Sequence, residues 1–190
     1  MHRKPLLALL AKFNSTDGLE ARAHREIEEF VQSNSDCFTR SLQIGHITGS
    51  AWLVDRSGTR VLLTHHRKLG KWLQLGGHCD GNPDVLDVAL REAREESGIA
   101  DIVPVSRAIF DLDVHLIPAR SGEPQHYHYD VRFLLRVETD DTFRVSPESS
   151  ALAWVGKADL PKMPVDESVL RMYRKWTQRG NLNEECRIRN

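Results

Sequence analysis

Cysteine is scarce in this chain: Cys37, Cys79 and Cys186 are the only three in 190 residues, and no two of them form a CxxC pair. That excludes a disulfide framework and a zinc ribbon, and it favours a reducing, cytoplasmic setting. Net charge is missing too. Twenty-six Lys and Arg stand against 27 Asp and Glu, for a sum of -1, so no global field draws in nucleic acid or an anionic membrane, and charge chemistry must be local. There is no basic stripe with interleaved aromatics, which argues against DNA as a partner. No apolar run approaches the roughly 20 residues of a membrane span. Leu6 to Leu10 follows Arg3 and Lys4 but leads to no small-residue cleavage site, so it does not read as a signal peptide. A P-loop, HExxH and GxSxG are all lacking, which argues against P-loop NTPases, zinc proteases and α/β-hydrolases. Repeats and low-complexity tracts are absent as well.

What is present suits one well-filled core. Pro5 can open a first helix, with Leu6, Leu7, Leu9 and Leu10 as its apolar stripe. That stripe can cap the body of the protein or meet a second copy, so a homodimer is open. Asp17 or Thr16 can cap a second helix in which Leu19, Ala23, Ile27 and Phe30 recur at spacings of three and four. Residues 1–36 therefore read as a helical extension, and 37–190 as the main domain. From Phe38 the period changes. Strands at Ile47 to Val54 and Arg60 to Thr64 flank Asp55-Arg56-Ser57-Gly58, a hairpin turn, and Trp72 to Leu75 is a short strand. The segment from Pro83 to Ser97 is a helix with Asn82 at the N-cap, Pro83 in its first turn and Gly98 just past its end. Strands are expected at about 102–117, 126–137 and 152–155, and a last helix at about 166–178 starting from Asp166. Strands on both sides of a central helix, with more helices at the ends, predict an α/β fold: a mixed sheet sandwiched between helices.

The central helix carries the chemistry. Arg91-Glu92-Ala93-Arg94-Glu95-Glu96 places carboxylates at i, i+3 and i+4, so Glu92, Glu95 and Glu96 project from one side. An exposed acidic face would look the same. Gly76-Gly77, ending the strand before the helix, shifts the reading, because paired glycines let backbone approach whatever the carboxylates hold. Oxygen-only ligands suit hard cations such as Mg²⁺ or Mn²⁺, which keep several waters and bind substrate phosphates at the same time.

Gly77, Arg91, Glu92, Glu95, Glu96, Gly98 and Ile99 fall in register on the pattern G-x5-E-x7-R-E-U-x-E-E-x-G-U, where U is a bulky aliphatic residue. The sequence thereby resembles the Nudix hydrolases, whose signature this is. Pro83 stands where the pattern has its first Glu, Ala93 where it has an aliphatic, and Leu75 where a Pro often precedes the glycines. The resemblance implies a Nudix-type α/β/α sandwich over roughly residues 40–178 and hydrolysis of a diphosphate linkage in a small-molecule nucleoside diphosphate derivative. It further implies that Glu92, Glu95 and Glu96 hold Mg²⁺ or Mn²⁺ with the Gly76 carbonyl, and that Arg91 orients a glutamate, with Gly77 and Gly98 structural. The base would be Glu92 or Glu95, or Glu148 from a later loop. A Nudix domain that binds a nucleotide or protein without turnover is the alternative, and the retained glutamates speak against it. Neither a Pro about fifteen residues past the box nor a Tyr slightly further on is present at Val114 to Ile117, so neither ADP-ribose nor diadenosine polyphosphate gains support as substrate.

Weaker signals flank the box. His65, His66, Arg67, Lys68 and Lys71 could clamp phosphates, Arg67 first among them, or form a solvated turn. Period-two alternation sets Asp111, Asp113 and His115 on one strand face and His126, His128 and Asp130 on another, with Phe110, Leu112, Val114 and Leu116 turned to the core. If the two strands pair, the polar faces form one patch. It is open to three readings: a water-exposed face, a substrate contact through His126 and His128, or a second metal or acid/base site. Tyr127, Tyr129 and Trp154 read as packing residues, and Cys79 as a small buried one.

Overall fold

The structure is a computed structural model and describes residues 2–66, 70–119, 122–144 and 149–179. Along the chain run α1 (Lys4–Leu10), α2 (Gly18–Ser33), β1 (Gly45–Val54), β2 (Arg60–His66), β3 (Lys71–Leu73), β4 (Leu75–His78), α3 (Val85–Ser97), β5 (Ile102–Pro104), β6 (Asp111–Ile117), β7 (His126–Val137), β8 (Ser149–Gly156) and α4 (Glu167–Gln178). Local chemistry sets most of the boundaries. The Asp17 carboxylate accepts from the Leu19 and Glu20 amides at 3.0 Å, and that of Asp166 from the Val169 amide at 3.1 Å, so both caps are side-chain bonds to orphan donors. In the β1–β2 hairpin, Asp55 accepts from the amides of Thr59 and Arg60 at 2.8 and 3.1 Å and from the Arg60 guanidinium at 2.8 Å. Gly98 ends α3 in the left-handed region at φ 69°.

Three expected elements differ. Helix α3 starts at Val85 with Asp84 as its N-cap, because the Asp84 carboxylate takes the Asp87 amide at 3.1 Å. Asn82 instead accepts from the Asp84 amide at 3.0 Å, and Pro83 lies outside the helix, between those two turn residues. The strand expected at 102–117 divides into β5 and β6. Pro104 has no N–H for the ladder, and Val105 and Phe110 bond to Leu134 and Arg132 of β7, so 106–109 loop out between them. Trp72 to Leu75 also divides at Gln74: β3 pairs with β2, and β4 with β1.

The eight strands described form one mixed sheet in the order β3-β2-β1-β7-β5, with β4 added to β1, β6 to β7 and β8 to β2. At its centre β1 and β7 run parallel over ten residue pairs, from Gly45↔Tyr127 to Val54↔Arg136. Alternation along these strands makes two faces. One carries Ile47, Ala51, Leu53, Val131, Phe133 and Leu135, packed with Leu6 and Leu10 of α1, Ile27 and Phe30 of α2, and Val85, Val88 and Ala89 of α3. The first helix therefore spends its stripe on this core. Trp52, Val54 and Leu134 line the other face, under Val169, Met172 and Trp176 of α4. The result is the expected α/β/α sandwich. Among the described residues no helix is long and apolar enough to cross a membrane.

The second face is not apolar along its whole length. Asp111 is fully buried and accepts from Arg132 at 3.0 Å and from Arg171 at 2.8 and 2.9 Å. Arg132 also bonds Asp130 at 2.7 Å and pairs with Asp113 at 3.2 Å. Lys175 of α4 pairs with Glu20 of α2, closing the network across the end of the sheet. The start of the expected polar patch is thus a buried ion network, because the register places Asp111 opposite Arg132 and α4 covers both. Leu116, expected in the core, is exposed near the end of β6, as is Tyr127 opposite it on the other face from α4.

Burial opposes charge on Asp111, but the bonds from Arg171 and the charges of Arg132, Arg171 and Lys175 prevail, and its carboxyl is held below the ordinary value. A depressed carboxyl contributes stability above its unfolded value of about 3.9 and loses it as pH falls through the folded value. Asp111→Asn should therefore cost about 3–5 kcal/mol in urea denaturation at pH 7, by leaving two buried guanidinium groups short of a partner. It should also flatten the acid limb of stability below about pH 4. A variant with the parent's midpoint and acid limb would show that the network contributes nothing.

Candidate active site

The glutamates of α3 meet the sheet at β4. Because Gly77 has no side chain, the Glu92 carboxylate lies against the strand: a Cβ at Gly77 would sit 2.5 Å from its carboxyl carbon. One residue earlier, the Gly76 amide donates to Glu96 Oε1 at 2.7 Å. Arg91 reaches over both elements, donating to the His78 carbonyl at 2.9 Å, pairing with Glu92 at 2.9 Å and approaching Glu95 at 3.5 Å. Glu95 is 61% exposed. The paired glycines, Arg91 and two of the three glutamates thus form one constellation, with Glu95 projecting from it. The loop after β4 is pinned from the N-terminal side, since Arg40 grips Asp80 at 2.6 and 2.8 Å and the Gly81 amide bonds the Phe38 carbonyl at 2.9 Å.

His126 and His128 do not adjoin these glutamates. Gly77 faces α3, so by alternation His78 faces the other side of the sheet, as do His46, Thr48 and Ser50 of β1. There the rings of His46, His78 and His128 lie with centroids 4.9 to 5.1 Å apart, and His126 stacks 5.0 Å from His46. Below them Asp130 accepts from Thr48 at 2.9 Å, Ser50 at 2.7 Å and Gln74 at 3.2 Å. Burial, with His78 and His126 beside it, pushes the His46 imidazole down to about 4, and burial also lowers His78 and His128. Sequence reading missed His46 and His78. The strands expected there start at Ile47 and stop at Leu75, which leaves both histidines outside them, and the register that sets His46 opposite His128 and His78 opposite Thr48 is not a local pattern. Tyr129 stacks on Phe30 at 3.8 Å, whereas Tyr127 is exposed. Cys79 is buried, which pushes its thiol up and away from the reactive thiolate. Arg67 and Glu148 lie outside the described residues, as does Cys186.

A family profile described as NUDIX domain matches residues 46–176. The chain belongs to the NUDIX family. Solved structures give the same architecture. A C. elegans Ap4A hydrolase in a binary complex is 18% identical with a TM-score of 0.56, over 69% of this chain and 94% of that one. The NUDIX domain of Shewanella oneidensis NrtR complexed with ADP ribose is 16% identical with a TM-score of 0.52, over 79% and 96%. The E. coli dihydroneopterin triphosphate pyrophosphohydrolase is 15% identical with a TM-score of 0.51, over 72% and 95%. At these identities the likeness concerns the fold. Comparison with curated protein sequences finds no match. The NUDIX match begins after α1 and α2, which nevertheless share the core of the NUDIX fold here.

The two glycines of this NUDIX strand should respond differently to a methyl group. At Gly77 the obstacle is the far end of the Glu92 side chain, which can swing away, so Gly77→Ala should keep the melting temperature within a few degrees while displacing the carboxylate. At Gly76 a Cβ would lie 2.8 Å from the Ser50 Cα, with φ at +155°, so Gly76→Ala must move backbone and should cost about 1–3 kcal/mol. Thermal melts of the pair decide it, and equal stabilities would refute the contrast.

Proposed function

We propose that this NUDIX protein hydrolyses a diphosphate linkage in a nucleoside diphosphate derivative with the help of Mg²⁺ or Mn²⁺. The seating of Glu92 and Glu96 on Gly76-Gly77, with Arg91 bridging helix and strand, carries the reading. Glu92, Glu95, Glu96 and the Gly76 carbonyl would hold the cation. The donor set is oxygen-only, as a hard cation requires, and the side chain missing at Gly77 leaves room for the carboxylate against the strand. When bound, such a cation would neutralise diphosphate oxygens and make water a better nucleophile near neutral pH.

The chain's own groups do the rest. Arg91 has donors on Glu92, on the His78 carbonyl and towards Glu95, so it keeps two carboxylates from repelling each other and holds Glu92 in one orientation. Glu96 is oriented by the Gly76 amide, which leaves Glu95, exposed and only distantly paired, as the in-box group to take a proton from the attacking water. Glu148 is the alternative base. Arg67 is assigned a phosphate contact ahead of the box. Pro83 replaces the first Glu of the box in the turn before α3, where it lines a small cleft with Pro5, Leu6 and Leu9. We assign it to bracing that turn against α1.

Phosphate release should be screened over nucleotide sugars, dinucleotides, nucleoside triphosphates and non-nucleotide diphosphates, with Mg²⁺ and Mn²⁺ compared. Turnover should appear on at least one diphosphate and vanish with EDTA. Glu95→Gln and Glu96→Gln should each lower it by roughly two orders of magnitude, as expected for removing a charge that stabilises the transition state, with the fold unchanged. No turnover anywhere on the panel, with nucleotide binding retained, would leave a binding domain in place of an enzyme.

A further inference from the structure

We propose that His46, His78 and His128 form a binding site for one divalent transition-metal ion of the zinc class, separate from the glutamates of α3. Among the described residues these three are the group of potential ligands that converges, each offering one atom within 4.8 Å of the others. They come from three strands of one sheet face. His46 and His128 are direct partners across the parallel β1–β7 pair, and His78 sits opposite Thr48 on the far side of β1, two residues along from His46. Backbone hydrogen bonds therefore hold the three attachment points, and only side-chain rotation remains to close the set.

The polar atoms point the same way. Among the described residues neither ring nitrogen of His46 has a hydrogen-bond partner, although the residue is almost fully buried. A buried imidazole ordinarily satisfies at least one nitrogen, and a metal ion is a partner that it accepts. His126 Nδ1 lies 2.9 Å from the Pro124 carbonyl, which can only accept, so that nitrogen carries the proton. In the neutral ring, Nε2 then accepts from His128 Nε2 at 3.2 Å, which leaves the other nitrogen of His128 with its lone pair. This is the usual outer hydrogen bonding of a metal-binding histidine, in which a carbonyl sets a tautomer and a neighbour orients the ring.

The donor type sets the ligand class. Three neutral imidazoles without a carboxylate suit Zn²⁺, Cu²⁺ or Ni²⁺ and are poor ligands for Mg²⁺, the reverse of the glutamate set. Closing the triad to a tetrahedral face, with edges of about 3.3 Å for bonds of about 2.0–2.1 Å, brings the ligand atoms together by up to about 1.5 Å and leaves one position for water or a fourth ligand. A bound ion would tie β4, which carries Gly76 and Gly77, to β1 and β7 from the face opposite α3.

The test uses the full chain without a histidine tag, titrated with zinc by calorimetry and with cobalt by visible absorption. Wild type should bind one zinc that survives Glu95→Gln and Glu96→Gln, and it should give the intense visible bands of cobalt in a tetrahedral nitrogen field. His46→Ala and His78→Ala should each weaken zinc at least about 10–100-fold and abolish the bands. His46→Phe keeps the ring volume and removes the ligand atoms, so it should do the same with an unchanged circular dichroism spectrum. Should the substituted chains not fold, wild type decides alone: zinc, and not magnesium, must raise its melting temperature. Zinc binding that persists in His46→Phe, is lost in the glutamate variants instead, or leaves the wild-type melting temperature unmoved would overturn the site. Phosphate release does not enter any of these readouts, so this proposal can fail while the hydrolase reading stands, and the reverse.

Discussion

The closeness of α3 to the sheet is the constraint on which the site depends. A helix carrying three glutamates and two arginines within two turns is an ordinary solvated surface unless its acidic side comes within bonding distance of a strand. Here it does. Gly49 has no side chain to hold Val85 and Val88 away, and Gly77 has none to hold off Glu92. The apolar side of α3, with Val88, Ala89 and Ala93 fully buried, pulls the helix down, and the glycines leave room for it to arrive. Ala93 thereby accounts for itself: it stands at the box position of a bulky aliphatic and is fully buried in this contact.

The opposite face meets a different demand. Where α4 covers it the sheet offers Trp52 and Leu134, but one step along β7 the inward residues turn to Arg132, Asp130 and His128. Burying such groups is tolerable only if each is paired, and the Asp111, Arg132 and Arg171 cluster supplies pairs at 2.8 to 3.0 Å. Pairing runs out at His46, whose two ring nitrogens have no hydrogen-bond partner among the described residues. The character of this face thus changes along the strands, from aromatic core through ion network to imidazoles. The glutamates sit across the sheet, so the carboxylate and imidazole clusters are kept apart by a single layer of backbone.

The N-terminal helices are part of this arrangement rather than an appendage to it. Leu6, Leu10, Ile27 and Phe30 belong to the same buried cluster as β1 and β7. Lys175 links Glu20 of α2 to α4, and Arg40 holds Asp80 in the loop that follows the paired glycines. Truncating the first 36 residues would therefore expose apolar surface on one face and remove a buried carboxylate from the network on the other.

Much of this was legible in the linear chain, because it depends on neighbours in sequence. The caps at Asp17 and Asp166, the turn at Asp55 to Gly58, the stop at Gly98 and the i, i+3, i+4 carboxylates all rest on contacts within a few residues, and the spacing of Gly77 to Ile99 marked the box. Short-range competition explains the misplaced start of α3, where two capping side chains, Asn82 and Asp84, stand two residues apart and the second captures the helix. What no local pattern could decide was register. Alternation told which residues of a strand share a face, but not that Asp111 lies opposite Arg132, nor that His46 lies opposite His128 and beside His78. Those pairings join residues dozens of positions apart. They are settled by how the whole sheet packs between its helices, so the ion network and the histidine cluster exist only in the folded chain.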